Sequence, residues 1–267
     1  MSIGAPTFFD NYVARHPHVA MERRNGILQM TLHSNGGPFH YDLQSRDDVV
    51  AALSDVAQDP DNRVVIITGT GAEFTGPRSD PHQNVFALSG VPLTPSALDR
   101  SGRVQVRLLQ GLLAVEVPMI AAVNGPTKRH SEIALMCDIV LTAEEATFED
   151  TAHFHLGSHV PGDGINIVLS LLLGLNRARY MMLTGQVLSA SEAKQLGLAA
   201  EVLPRDQLLS RAWALAEQLA QKPDLVLRYT RAVLTHPLRK AIGESLEHHL
   251  ALERLAVLDS HGSPQSC

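Results

Sequence analysis

An imidazole and a carboxylate ten positions apart are the most chemically suggestive pair in this chain. His153 and Asp163 lie in FEDTAHFHLGSHVPGDG, residues 148–164. Pro161-Gly162-Asp163-Gly164 is a turn, and a chain that folds back there can bring the two side chains together. A histidine paired with an aspartate makes a general base, because the carboxylate fixes the tautomer and stabilises the imidazolium. No serine or cysteine stands in a recognisable nucleophile motif, so such a base would act on water and the chemistry would be hydrolytic. Two other readings remain open from spacing alone. Asp163 could be an ordinary turn residue beside loop histidines. His153, His155 and His159 also have a spacing that resembles metal ligation, without a cysteine or a helical His-Glu-x-x-His arrangement to support it. We therefore expect no metal.

The remainder of the chain must supply a scaffold for that loop. Its 267 residues suffice for one large domain or two modest ones, and 45% hydrophobic content supports a real core. A net charge of −6, with aromatics at only 4%, argues against nucleic-acid binding. The longest apolar run, 167–175, is too short to span a bilayer, and the first residues lack a signal-like apolar stretch. Cys137 and Cys267 offer no disulfide framework. A soluble, cytoplasmic protein is expected.

Residues 18–33 alternate about Arg24-Asn25-Gly26 and read as a hairpin, since Asn-Gly accepts the positive φ of a tight turn. A helix is expected over 42–58, stopped by Asp59-Pro60-Asp61. The continuous apolar runs 63–68, 118–123 and 138–143 read as strands buried on both faces. Helices at 96–114 and 130–137 fall between them. This alternation predicts an α/β unit with parallel strands. From Gly164 onward the chain reads as helical over 164–174, 176–183, 189–196, 206–221, 223–234 and 237–259, with one short strand at 200–203. We expect a core over 1–205 and a helical region over 206–267 whose surplus apolar face makes subunit contacts.

RVVIITGTG (63–71), VPMIAAVNGP (117–126), EIALMCDIVLTAEEATF (132–148), VPGDG (160–164) and LTGQVLSASEAKQLGLAAEVLP (183–204), taken in this order, resemble the crotonase (enoyl-CoA hydratase/isomerase) superfamily. The resemblance implies a spiral of β-β-α turns followed by helices that mediate trimer formation. The departures from the family pattern carry more information. Acyl-CoA members have a glycine run after Asn-Gly whose N–H helps form an oxyanion hole for the thioester. Here that place reads Pro126-Thr127-Lys128-Arg129-His130-Ser131. The second oxyanion loop reads Phe74-Thr75-Gly76-Pro77-Arg78-Ser79-Asp80, and Pro77 has no N–H to give. Glu132 matches one catalytic glutamate of the hydratases, and His153 stands at the position of the other.

This set of changes is similar to the β-diketone hydrolases of the 6-oxocamphor hydrolase type, which cleave a C–C bond between two carbonyls without CoA. The resemblance implies a His153–Asp163 dyad, a catalytic Glu253 on the C-terminal helix, and substrate binding by His130 and, at a shifted N-terminal position, by Tyr41 or its neighbours Phe39 and His40. It implies a cyclic 1,3-diketone substrate, bicyclic by the same likeness. It also implies a retro-Claisen cleavage to a keto acid, no cofactor, and a homotrimer or dimer of trimers. A CoA-dependent hydratase or isomerase and a non-catalytic protein of the same fold are the alternatives. Lys128, Arg129, His155 and His159 are expected to be loop residues without a mapped role.

Overall fold

The computed structural model describes residues 7–78, 86, 89–156 and 159–262. Ser79, Asp80, Gly157, Ser158 and Cys267 lie outside the described residues. Strands β1 (Val19–Arg24) and β2 (Ile27–Leu32) form the expected hairpin, and Asn25 and Gly26 take φ values of 52° and 78°. Strand β2 then pairs in parallel with β3 (Val64–Gly69), followed by β4 (Met119–Val123), β5 (Ile139–Ala143) and β8 (Glu201–Leu203), completing a six-stranded sheet.

Successive side chains of a strand point to opposite faces, so a strand buried on both must be apolar throughout. Val64 and Ile66 of β3, with Ile120 and Ala122 of β4, pack against Leu208, Ala212, Trp213 and Ala216 of a helix at Arg205–Leu219. Val65, Ile67, Met119, Ala121 and Val123 face the larger core on the other side.

The spiral becomes visible just past the end of each long strand. Isolated bridges join His40 to Gly76, Thr75 to Thr127 and Thr127 to Phe148, and β6 (Thr147–Phe148) pairs with β7 (Leu188–Ser189). These short pairings make a second layer, visited once per turn before the chain enters the next helix. The sequence pattern has no β6 or β7, because two-residue strands leave no periodicity to detect. The expected α/β spiral is otherwise the fold of the molecule.

Among the described residues the α-helices labelled here, in chain order, are α1 (Leu43–Gln58), α2 (Pro95–Ala114), α3 (Glu132–Leu135), α4 (Ile165–Leu173), α5 (Leu175–Thr184), α6 (Ala190–Gln195), α7 (Arg205–Leu219), α8 (Asp224–Leu234) and α9 (His236–Gly262). A capping box starts α1: Asp42 accepts from the Ser45 N–H at 2.8 Å while Ser45 Oγ accepts from the Asp42 N–H at 2.9 Å. Such a cap is worth about 1 kcal/mol and sets the chain direction directly after Tyr41. Helix α9 crosses α2 and α4, so the end of the chain lies over the elements that carry the candidate residues. No described helix is long and apolar enough to cross a membrane.

Candidate active site

Three segments converge beneath α9. The first is the loop after β6, carrying His153. The second is the 160–164 turn, with Asp163 placed just ahead of α4. The third is the loop between β4 and α3, carrying His130. Two glycines permit the approach. A Cβ on Gly125 would lie 2.0 Å from the Ala72 carbonyl oxygen, so only glycine lets the β3 and β4 loops meet. A Cβ on Gly162 would lie 2.4 Å from the His249 carbonyl oxygen and 2.9 Å from Glu253 Cβ. Gly162 therefore lets α9 close on the turn and brings Glu253 to it.

His153 and Asp163 meet as their spacing allows. His153 Nε2 lies 3.3 Å from Asp163 Oδ2. Asp163 also acts as a turn residue, because its Oδ1 accepts from the Ile165 N–H at 3.2 Å at the start of α4. The two readings of Asp163 are thus both true of one side chain. A carboxylate that sequence reasoning passed over stands closer: Asp150 Oδ1 lies 2.5 Å from His153 Nδ1. Burial works against a charged ring, yet Asp150 and Asp163 together hold His153 well above the usual histidine range. Burial likewise opposes ionisation of Asp163, but His153, then His130 and the Ile165 N–H, hold its carboxyl well below the usual carboxylate range.

His130 joins the same carboxylate as His153. Its Nδ1 lies 2.7 Å from Glu132 Oε1 and 3.4 Å from Asp163 Oδ2. Its backbone takes φ 51°, a left-handed conformation that costs a residue with a Cβ about 1–2 kcal/mol. The ring is stacked on Tyr41, with centroids 3.7 Å apart and planes 24° from parallel. Tyr41 is buried, and its hydroxyl donates to Gln105 Oε1 at 3.3 Å. That hydroxyl is already engaged, so Tyr41 serves as the platform under His130. Gln105 in turn donates to Glu132 Oε1 at 3.2 Å and to the Asp163 carbonyl at 2.9 Å. Gln105 was invisible in the sequence, being one polar residue within an amphipathic helix.

Glu253 approaches from α9. Burial is the largest cause that lifts its carboxyl, to about 8, and Asp163 and Asp150 add to the rise while His153 opposes it. The rise favours its protonated form. Its Oε2 is enclosed without a hydrogen-bond partner, as are Glu132 Oε2, Asp150 Oδ2, Asn166 Oδ1 and Ser131 Oγ. Buried polar atoms are ordinarily satisfied, so this group of orphans marks a place for water or a polar ligand.

Of the histidine triplet, the His155 ring packs on the Gly185 turn. A different set, His130, Glu132 and Asp163, has ligand atoms all within 4.8 Å of one another. Within it, His130 Nδ1 hydrogen-bonds to Glu132, and Asp163 lies at ion-pair distance from the same nitrogen. The loops 74–77 and 126–131 are those to which the family resemblance assigns a thioester hole. The two loops are tied to each other: Thr75 Oγ1 donates to the Arg129 carbonyl at 2.5 Å, and Arg129 Nε donates to the Pro77 carbonyl at 3.0 Å. Pro77 has no N–H, and the His130 side chain fills the position of the glycine run. A separate cavity of about 530 Å³ lies between the N-termini of α1 and α2, lined by Leu43, Arg46, Val91, Thr94, Ala97 and Ser101.

The enoyl-CoA hydratase/isomerase family model matches residues 22–256. A probable enoyl-CoA hydratase of Mycobacterium tuberculosis is 33% identical over 78% of this chain and 72% of its own length. Among solved structures, a β-diketone hydrolase from the cyanobacterium Anabaena sp. PCC 7120, bound to (S)-3-oxocyclohexyl acetic acid, superposes with a TM-score of 0.87. It is 36% identical, covering 97% of this chain and 100% of that one. An enoyl-CoA hydratase/isomerase from Mycobacterium paratuberculosis superposes with a TM-score of 0.80 at 25% identity, covering 90% of this chain and 93% of that one.

Proposed function

The chain belongs to the enoyl-CoA hydratase/isomerase family, and within it we propose that the protein is a hydrolase that cleaves a C–C bond of a cyclic 1,3-diketone. The observation that carries this reading is the His153–Asp163–His130 cluster, built where a thioester hole would stand. The bound keto acid of the similar β-diketone hydrolase agrees with it.

His153 takes a proton from water, and the hydroxide adds to one ring carbonyl. The tetrahedral alkoxide collapses, breaking the bond to the carbon between the carbonyls, and that electron pair becomes an enolate. In the productive state Glu253 carries a proton, which it gives to the enolate carbon, and the His153 proton restores Glu253. The sum is diketone plus water giving one keto acid, with no cofactor. The productive state is neutral His153 with protonated Glu253. Imidazolium with ionised Glu253 has the same proton count, so a pH profile reports the pair.

His130 faces the second carbonyl. Its Nδ1 is committed to Glu132, so Nε2 donates only from the cationic ring. One such donor aimed at developing charge is worth roughly 3–4 kcal/mol.

A homotrimer or dimer of trimers is part of the same proposal. Leu225, Val226, Tyr229 and Val233 of α8 are all at least half exposed, an apolar face suited to a second copy. The test of function is turnover: a panel of monocyclic and bicyclic 1,3-diketones beside crotonyl-CoA, followed by mass spectrometry. Keto acids from diketones are expected. Hydration of crotonyl-CoA with no diketone cleaved would reverse the assignment.

A further inference from the structure

His153 has a carboxylate at each ring nitrogen, and the two are not equivalent. Asp150 Oδ1 lies 2.5 Å from Nδ1, whereas Asp163 Oδ2 lies 3.3 Å from Nε2. Asp163 Oδ2 is also 3.4 Å from His130 Nδ1, and Asp163 Oδ1 is taken by the Ile165 N–H. Asp163 is thus divided among three groups. Asp150 bonds to His153 alone, and its second oxygen is buried without a partner.

The segment around Asp150 is held on both sides. Glu149 accepts from Arg78 Nε at 3.1 Å and from Thr151 Oγ1 at 2.9 Å, and Glu149, Asp150 and Thr151 are all buried. Such a clamp fixes where the Asp150 carboxylate points.

Resting on the hydrolytic reading above, we propose that Asp150 is the positioning residue that sets the His153 tautomer, and that Asp163 stands on the reacting side of the ring. The physical reason is the direction of the protons. A neutral ring that gives its Nδ1–H to Asp150 has its lone pair on Nε2. Nε2 then faces Asp163 Oδ2, acceptor against acceptor, across 3.3 Å. A water lying beside that contact, within hydrogen-bond reach of both atoms, resolves the conflict by donating one O–H to Nε2 and the other to Asp163. Proton removal then runs from the water oxygen to Nε2, with Asp163 aligning the water and Asp150 holding the imidazolium that forms. Asp163 alone could not do both, because an orienting carboxylate on Nε2 would occupy the nitrogen that must accept the proton.

The groups that act on the His153 charge come from several elements. Asp150 belongs to its own loop, Asp163 to the turn before α4 and Glu253 to α9. His130 and Glu132 lie beyond Asp163. Removing the Asp150 charge takes away one of the two carboxylates that favour the imidazolium, so the His153 pKa falls. A base that must be neutral to work then becomes available at lower pH.

The experiment is histidine-selective nitrogen NMR of the full-length protein, read beside kinetics on a cleaved diketone. In the parent and in Asp163→Asn, neutral His153 should carry its proton on Nδ1. In Asp150→Ala that tautomer should be lost, and kcat should fall by at least about 10-fold because the base is mis-set. Asp150→Asn keeps the shape and should fold even where Asp150→Ala does not. In Asp150→Asn the His153 titration and the acidic limb of kcat/KM should both move to lower pH, which a merely structural role would not produce. Retention of the Nδ1–H tautomer in Asp150→Ala with its loss in Asp163→Asn would overturn the proposal, as would an unmoved titration in Asp150→Asn. The NMR arm needs no substrate, so failure to cleave any diketone would count against the function alone.

Discussion

Two buried charge clusters in this molecule are built to opposite rules. Around Arg231 the charges and dipoles are closed. Its Nε donates to Asp138 Oδ2 at 2.8 Å and its NH2 to the Leu112 carbonyl at 3.0 Å, while NH1 reaches the Val115 carbonyl. Asp138 Oδ2 also accepts from the Met119 N–H at 2.7 Å. The guanidinium therefore caps the end of α2 and ties α8 to the sheet. Around His153 the charges are left open. Asp150, Glu132 and Glu253 each keep one enclosed carboxylate oxygen without a partner. Closed networks hold a fold; open ones cost stability and persist where a ligand or water completes them. That difference separates structure from candidate chemistry more sharply than burial does, because both clusters are buried.

The comparison can be broken from either end. Arg231→Ala leaves Asp138 and several carbonyls stranded, and removing one partner of a buried pair costs about 3–5 kcal/mol. We expect that loss in denaturant or thermal unfolding, with turnover per folded molecule unchanged. An Arg231→Ala protein of parental stability would show that the cluster is not structural. At the open cluster the effects reverse. His153→Ala and Asp163→Asn should each lower kcat, read per folded molecule, by at least roughly 100-fold. Parental turnover in either variant would end their assignment.

His130→Ala should raise KM and lower kcat/KM, with a smaller loss in kcat than the dyad variants show, because a ground-state carbonyl already accepts its hydrogen bond. An unchanged KM with a loss as deep as that of His153→Ala would move His130 into proton transfer. The subtlest effect belongs to Glu253. Its carboxyl is raised from an ordinary 4.5 to about 8 by burial and then by Asp163. The folded state holds a proton there that the unfolded chain releases. This contribution to stability is complete below about 4.5 and is lost as pH rises through about 8. Glu253→Gln should remove that slope, a small change beside the roughly 100-fold loss of turnover expected when the enolate loses its proton donor, and the residual kcat/KM should lack the alkaline limb near pH 8. An alkaline limb that survives in Glu253→Gln would assign it to another group.

Much of the fold could be read from local signals. Asn25-Gly26 announces its hairpin, and the apolar runs at β3, β4 and β5 announce strands covered on both faces. The family resemblance supplied the spiral, which no local pattern contains. The site was legible only where one residue type carries its chemistry on its face. His153 and Asp163 stood out because a turn lay between them. Asp150 did not, because beside Glu149 it reads as one of two loop acids, and its reach back to Nδ1 depends on how the chain bends after β6. Gln105 and Tyr41 are buried polar supports whose hydrogen-bond partners lie 27 to 64 positions away in other elements, with no shared pattern. Glu253 meets the site only because Gly162 leaves room for α9, a contact between residues far apart in the chain.

The most direct test of water activation at the open cluster is a single turnover of a cleaved diketone by excess enzyme in oxygen-18 water. Direct attack by a water held at His153 and Asp163 predicts one heavy oxygen in the carboxylate of the first keto acid formed. An unlabelled carboxylate from that first turnover would place a side-chain oxygen of the enzyme in the product, and would contradict the account.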